Sequence, residues 1–151
     1  MLRYLTTGLP VILLCLVLQA VFVSACLRQY SKYQQATKNS SSQFADIGLL
    51  AMVMLLTMIG NCVQMGIWAG LFMLLGEFDT FGGAFYHSCV NFVTLGYGDI
   101  VMSERWRLLG PLEGANGILM FGISTAVMTA AIFDVLKRTA AARELLASKS
   151  D

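Results

Sequence analysis

An all-α membrane protein is the fold class this chain predicts, and three observations predict it. The composition is 57% hydrophobic and only 13% charged, with a mean hydropathy of +0.70, too apolar for an ordinary soluble domain of 151 residues. Three segments, 9–27, 47–75 and 112–136, are each long enough to cross a hydrocarbon core of about 30 Å at about 1.5 Å per residue. Between the second and third lies a shorter apolar stretch, 80–93, that suffices only for a half-crossing helix.

The first span opens with Pro10, tolerated in a first helical turn, and its main polar interruptions are Gln19 and Ser24. It reads either as a spanning helix, residues 1–27, or as a signal peptide, because Arg3, a short apolar run and Val23-Ser24-Ala25-Cys26 imitate a cleavage region. A polar linker occupies 28–46; its Asn39-Ser40-Ser41 formally matches a glycosylation acceptor. The second span, an outer helix over 47–76, is long for a crossing, contains Asn61 and Gln64, and ends at Gly76-Glu77. The third, an inner helix over 111–138, carries Gly114, Gly117, Gly122, Ala126, Ala130 and Ala131, which suits close helix packing. Residues 139–151 form a short tail.

The half-crossing helix runs into Thr94-Leu95-Gly96-Tyr97-Gly98-Asp99. Irregular backbone survives at membrane depth only when it is buried in protein or lines a watery path. Successive carbonyls point the same way into a narrow path if the backbone alternates between right- and left-handed dihedrals, and glycine enters the left-handed region without a Cβ clash. Gly96 and Gly98 have that spacing, so the carbonyls of Thr94, Leu95, Gly96 and Tyr97 can replace the water shell of a dehydrated cation. The bland alternative, an ordinary Gly/Asp turn, does not account for the apolar segments on either side.

With these residues in view, the stretch from about 84 to 126 resembles the pore domain of the potassium channel superfamily, most of all its compact bacterial members. Ala84-Phe85-Tyr86-His87-Ser88, the motif 94–99, Trp106-Arg107-Leu108-Leu109-Gly110, Gly117-Ile118-Leu119, Phe121-Gly122 and Ser124-Thr125-Ala126 carry the match. With the second span as outer helix, the resemblance covers 47–138 as outer helix, pore helix (80–93), filter (94–99) and inner helix, preceded by an extra N-terminal transmembrane helix. It implies a potassium-selective channel with Thr94, Leu95, Gly96, Tyr97 and Gly98 as the ion sites. It also implies filter support from Asp99, Tyr86, His87, Asn91 and Val93, with K⁺ as the permeant ion and no cofactor. One filter per chain implies a homotetramer. Leu95 stands where Val is commoner, Asn91 and Val93 where many relatives carry Thr, and Tyr86-His87 where many have two Trp, which bears on filter rigidity. The alternatives are a non-conducting or regulatory subunit that needs another chain, and a weakly selective cation channel.

Charge sets the expected orientation. Arg28, Lys32, Lys38, Lys137, Arg138, Arg143 and Lys149 lie on one side, against Arg3, Arg105 and Arg107 on the other. Seven against three predicts a cytoplasmic linker and C-terminus and an outward filter, in a multi-pass protein of the cell membrane. Removing the first span as a signal peptide would turn the filter inward, so retention is the better reading.

Glu113 either braces the back of the pore helix or sits hydrated in the interface. Gly117 and Gly122 are candidate gating hinges, with close packing an equal reading. Asn61, Gln64 and Asn116 suit interhelical hydrogen bonds. His87 is either a pH-responsive group near Asp99 or Tyr97 or, preferably, a hydrogen-bonded pore-helix side chain. Cys15, Cys26, Cys62 and Cys89 lack metal or disulfide spacing and read as buried thiols. No arginine run marks a voltage sensor, no constellation suggests an enzyme, and nothing points to nucleic acid. The partners expected are the chain itself, the lipid bilayer and an unidentified regulatory partner.

Overall fold

The computed structural model describes residues 2–36 and 43–147; the predicted glycosylation acceptor at Asn39 lies outside them. The described residues form four helices: α1 (Leu2–Ala36), α2 (Gln43–Leu74), α3 (Phe81–Phe92) and α4 (Leu109–Ala147). α1, α2 and α4 each contain a span apolar and long enough to cross a membrane. α3, with 12 residues, is too short to do so. Among the described residues no strand occurs.

α1 departs from the expected outline at both ends. It begins eight residues before Pro10, which therefore sits in the helix interior rather than in its first turn. The extra turns are held by α4 and the loop before it. Gly8 lets the helices meet, since a Cβ there would lie 3.2 Å from Leu112 Cδ1. Tyr4 packs edge-on against Trp106, and Arg3 donates to the Arg105 carbonyl at 3.1 Å. At the other end α1 runs nine residues past the apolar segment, to Ala36. There Tyr30 donates to Asp134 of α4, so the polar extension has a partner that keeps it helical.

α1 packs against α2 and α4, and a buried polar relay joins the three. Gln64 of α2 donates to Gln19 Oε1 at 2.8 Å, and Gln19 donates to Ser124 Oγ of α4 at 3.1 Å. Such pairs stabilise contacts between spans, where apolar side chains gain little by leaving lipid. Of the other amides predicted for this role, Asn116 lies against the Cys15 thiol, while Asn61 Oδ1 has no partner among the described residues. Cys62 is exposed rather than buried.

The core lies where α2, α3 and α4 converge: Trp68 and Phe72 of α2, Phe92 of α3, and Leu109 and Met120 of α4 are fully buried. It clamps the short helix between the two spans and thereby fixes the position of residues 94–99 beyond its end.

Candidate functional site

α3 starts and stops on identifiable caps. The Thr80 hydroxyl accepts from the Gly83 amide at 3.3 Å, satisfying one of the helix's free donors. At the other end the Thr94 amide donates to the Asn91 carbonyl at 2.8 Å and the Leu95 amide to the Val90 carbonyl at 2.9 Å. These two bonds make a Schellman motif with Thr94 at its left-handed position, and Thr94 has φ +58°. Gly96 and Gly98 come next at φ +61° and +72°. Every second residue from 94 to 98 is thus left-handed, and the helix cap is also the first step of the alternation. A Cβ on Gly96 or Gly98 would meet nothing within 4 Å; backbone handedness alone demands glycine there.

On the far side of this segment, polar groups tie the descending chain back to α3 and α2. Tyr86 donates to Asp99 Oδ2 at 2.7 Å. Their shared bond raises the Tyr86 phenol above its ordinary pKa and lowers the Asp99 carboxyl. His87 makes no hydrogen bond to Asp99, although the ring lies near enough to interact with its charge. Its Nδ1 lies 3.0 Å from the Ile100 carbonyl and its Nε2 lies 2.9 Å from Asn91 Nδ2. The amide donates to Nε2, so Nδ1 carries the proton and donates to the carbonyl. Phe72 and Phe78 flank the ring, with centroids at 5.5 and 5.1 Å. Burial pushes the His87 pKa below its usual value, which keeps the ring neutral and both nitrogens satisfied. Beyond the segment, the Ser103 amide and hydroxyl both donate to Glu77 at 2.6 Å, tying the loop before α4 to the end of α2.

Behind the segment, α4 presents a face with almost no side chains. A Cβ on Gly110 would lie 3.3 Å from Asn91 Nδ2, and one on Gly114 would lie 3.3 Å from the Asn91 carbonyl and 3.6 Å from Thr94 Cγ2. On Gly117 it would sit 2.0 Å from the Phe92 carbonyl oxygen, a distance no side chain can occupy. Gly117 is therefore where the inner helix touches the end of the short one, whereas Gly122 faces open space.

Beside Gly114, on the adjoining side of α4, Glu113 is fully buried and lies on the back of α3, not in a hydrated interface. The Ser88 hydroxyl reaches both the Met65 carbonyl, at 2.8 Å, and Glu113 Oε1. A hydroxyl has one hydrogen. Both contacts are satisfied when Glu113 is protonated and donates to Ser88 while Ser88 donates to Met65. The result is a link across α4, α3 and α2.

The predicted residues thus gather around one segment. Tyr86, His87 and Asp99 lie on the side away from α4, Asn91 lies between His87 and the glycines of α4, and Gly117 and Glu113 meet α3 from α4 at Phe92 and Ser88. Val93 takes the C-cap position of α3 with its side chain partly exposed. Sequence reasoning missed the left-handed Thr94, because a β-branched residue is among the last expected there. The Glu77–Ser103 link was also missed; its one signal was Glu77 just after the helix-ending Gly76.

In a comparison with known families, residues 62–134 match the family described as ion channel. The match runs from the second half of α2 through α3 and the segment after it to Asp134 of α4, the region where the site is built. No curated protein and no solved structure matches the chain.

Proposed function

We propose that this chain, whose pore domain belongs to the ion-channel family, is a potassium-selective channel in which four copies surround one conduction path. The observation that carries the reading is the left-handed backbone at Thr94, Gly96 and Gly98. Alternating handedness turns successive carbonyls to one side, and four such strands make stacked oxygen rings that stand in for the hydration shell of K⁺. The sites are the carbonyls of Thr94 to Tyr97, with K⁺ as permeant ion. Tyr86–Asp99 and His87–Asn91 support the strand from outside, and the Asn91–Phe92 contact with Gly110, Gly114 and Gly117 supports it from the inner helix.

Two features favour four copies. Each chain supplies one filter strand, and its Leu95 and Tyr97 side chains are 55% and 66% exposed. Beside the strand lies a cavity of about 410 Å³, bounded by Thr94, Gly96, Gly110, Pro111, Gly114 and Ile118. A neighbouring copy's Leu95 and Tyr97 have the size and polarity to cover it. The excess of Lys and Arg on the linker and C-terminal side orients the filter outward. A weakly selective cation channel is the second reading, because the Tyr86–Asp99 brace is solvent-exposed on the single chain and an exposed bond holds a strand less firmly.

Potassium and sodium flux through purified protein in liposomes tests both readings. Barium-sensitive potassium flux abolished by Gly96→Ala is the expected result. Equal sodium flux would select the second reading, and no flux under any ion, pH or voltage would point to a subunit that needs another chain.

A further inference from the structure

The N-terminal helix follows α4 from the filter end to the far end. Tyr4 packs against Trp106 just ahead of α4, and a Cβ on Gly8 would lie 3.3 Å from Leu109 Cδ2 and 3.2 Å from Leu112 Cδ1. Further along, the Cys15 thiol lies against Asn116, Gln19 donates to Ser124 Oγ at 3.1 Å and Tyr30 donates to Asp134. The α1 positions 4, 8, 15, 19, 26 and 30 recur at spacings of four and seven, which keeps them on one side of a helix. Their partners advance in the same order, so the two helices run parallel. Among the described residues α1 touches α2 and α4 but not α3.

This seam opens between Ser124 and Asp134. An open cleft of about 470 Å³ separates Val23 and Leu27 of α1 from Ala126 and Ala130 of α4, so apolar packing holds the helices together poorly there. A polar cluster closes the cleft. Asp134 accepts from Tyr30 and from Arg138 Nε at 3.0 Å, and the Arg138 guanidinium carbon lies 5.6 Å from the centre of the Tyr30 ring. The opposite face of α4 is uncovered. Ile118 bounds the cavity beside the filter strand, and Phe121, Thr125, Ile132 and Leu136 follow it at helical spacing, all exposed.

We propose that α1 is a strap that holds the C-terminal third of α4 away from the conduction path, fastened by the Tyr30–Asp134–Arg138 cluster. The inference rests on the channel reading above. Four copies turn Ile132 and Leu136 toward one watery path, where apolar rings associate and a dewetted constriction stops ions. α1 lies on the other side of α4, so each fastening pulls against that association. Gly122, where a Cβ would meet nothing within 4 Å, sits at the level where the continuous seam ends, and an interior glycine weakens the helix there.

Potassium flux in liposomes and cross-linking between copies test the strap together. Tyr30→Phe keeps the ring and removes the hydroxyl. The ratio of held to released α4 should fall about tenfold, as expected for one hydrogen bond to a charged group, and flux should drop with it. Adding Leu136→Asn should restore flux, because a polar ring stays wet, whereas Lys137→Gln alone, at a neighbouring exposed position, should leave flux unchanged. For the second readout, Leu136→Cys is placed in a full chain whose four native cysteines are serine, and disulfide formation between copies is followed with copper-phenanthroline. Adding Tyr30→Phe should speed it. Unchanged flux and unchanged cross-linking in Tyr30→Phe overturn the strap, and so does a rise in flux, which would mean that the cluster holds α4 shut. Faster cross-linking in a protein that passes no ion supports the strap while counting against the channel reading.

Discussion

α2 and α3 end in the same hydrogen-bonded motif and fill its left-handed position with opposite kinds of residue. At the end of α2 the Glu77 amide donates to the Phe72 carbonyl and the Gly76 amide to Met73, with Gly76 at φ +72°. At the end of α3 the corresponding donors are Leu95 and Thr94, with Thr94 at φ +58°. Glycine adopts this conformation without a Cβ penalty, while an L-residue with a side chain gives up roughly 1–2 kcal/mol. The first end is a plain stop. The second stores strain where the backbone must start an alternation, and such strain persists only when the surroundings over-determine it. Here Gly110, Gly114 and Gly117 of α4 press against Asn91 and Phe92 from one side, and the His87–Asn91 bond holds them from another.

The largest expected effect comes from removing that support. Gly117→Ala places a methyl carbon 2.0 Å from the Phe92 carbonyl, so α4 must move off the end of α3. Loss of channel flux and a fall in thermal midpoint in detergent are expected, whereas Gly122→Ala, with nothing within 4 Å, should be neutral or slightly stabilising. Equal behaviour of the two variants would refute the packing role. Glu113 gives the next effect. Glu113→Ala removes the buried link from α4 through Ser88 to Met65 and should cost about 2 kcal/mol in unfolding titrations. Glu113→Gln keeps a donor for Ser88 and should cost less than half as much.

The two helix ends themselves supply a pair of opposite sign. Gly76→Ala should destabilise by about 1 kcal/mol, and Thr94→Gly should relieve strain by a similar amount. If the proposed function holds, Thr94→Gly should nevertheless reduce potassium selectivity, because it also removes the Thr94 side chain. A Thr94→Gly variant less stable than the parent would show that the cap is not strained. The smallest effect is a pH dependence. The folded pKa of His87 lies below the unfolded value of about 6.5. The unfolded chain therefore takes up the proton first, and stability should fall as pH drops through about 6.5 toward the folded pKa. Thermal midpoints measured from pH 7.5 to 5 should show that slope in the parent and a flatter one in His87→Gln.

Much of the fold is legible in the order of residues alone. The spans stand out because about 20 apolar residues in a row have few uses other than crossing a bilayer. The short helix stands out because it is apolar and yet too short to cross. Gly96 and Gly98 are readable for a local reason, since glycine at alternate positions signals left-handed backbone wherever it occurs. Pro10 misleads in the opposite direction. A local rule places it at a helix start, but Tyr4, Gly8 and Trp106 extend α1 past it through contacts with a distant part of the chain. For Asp99 the residue pattern allows either Tyr86 or His87 as partner; only the fold gives it to Tyr86 and turns His87 toward Ile100 and Asn91.

By itself, then, the sequence determined the three spans, the half-crossing helix and the position of the filter-like strand, because each depends on hydropathy, length and dihedral preference over a few neighbouring residues. The tertiary structure decided the handedness of Thr94, the contact that forbids a side chain at Gly117, the partner of Glu113 and the full length of α1. Each of those depends on which surfaces meet, and residues far apart in the chain settle that only when they pack.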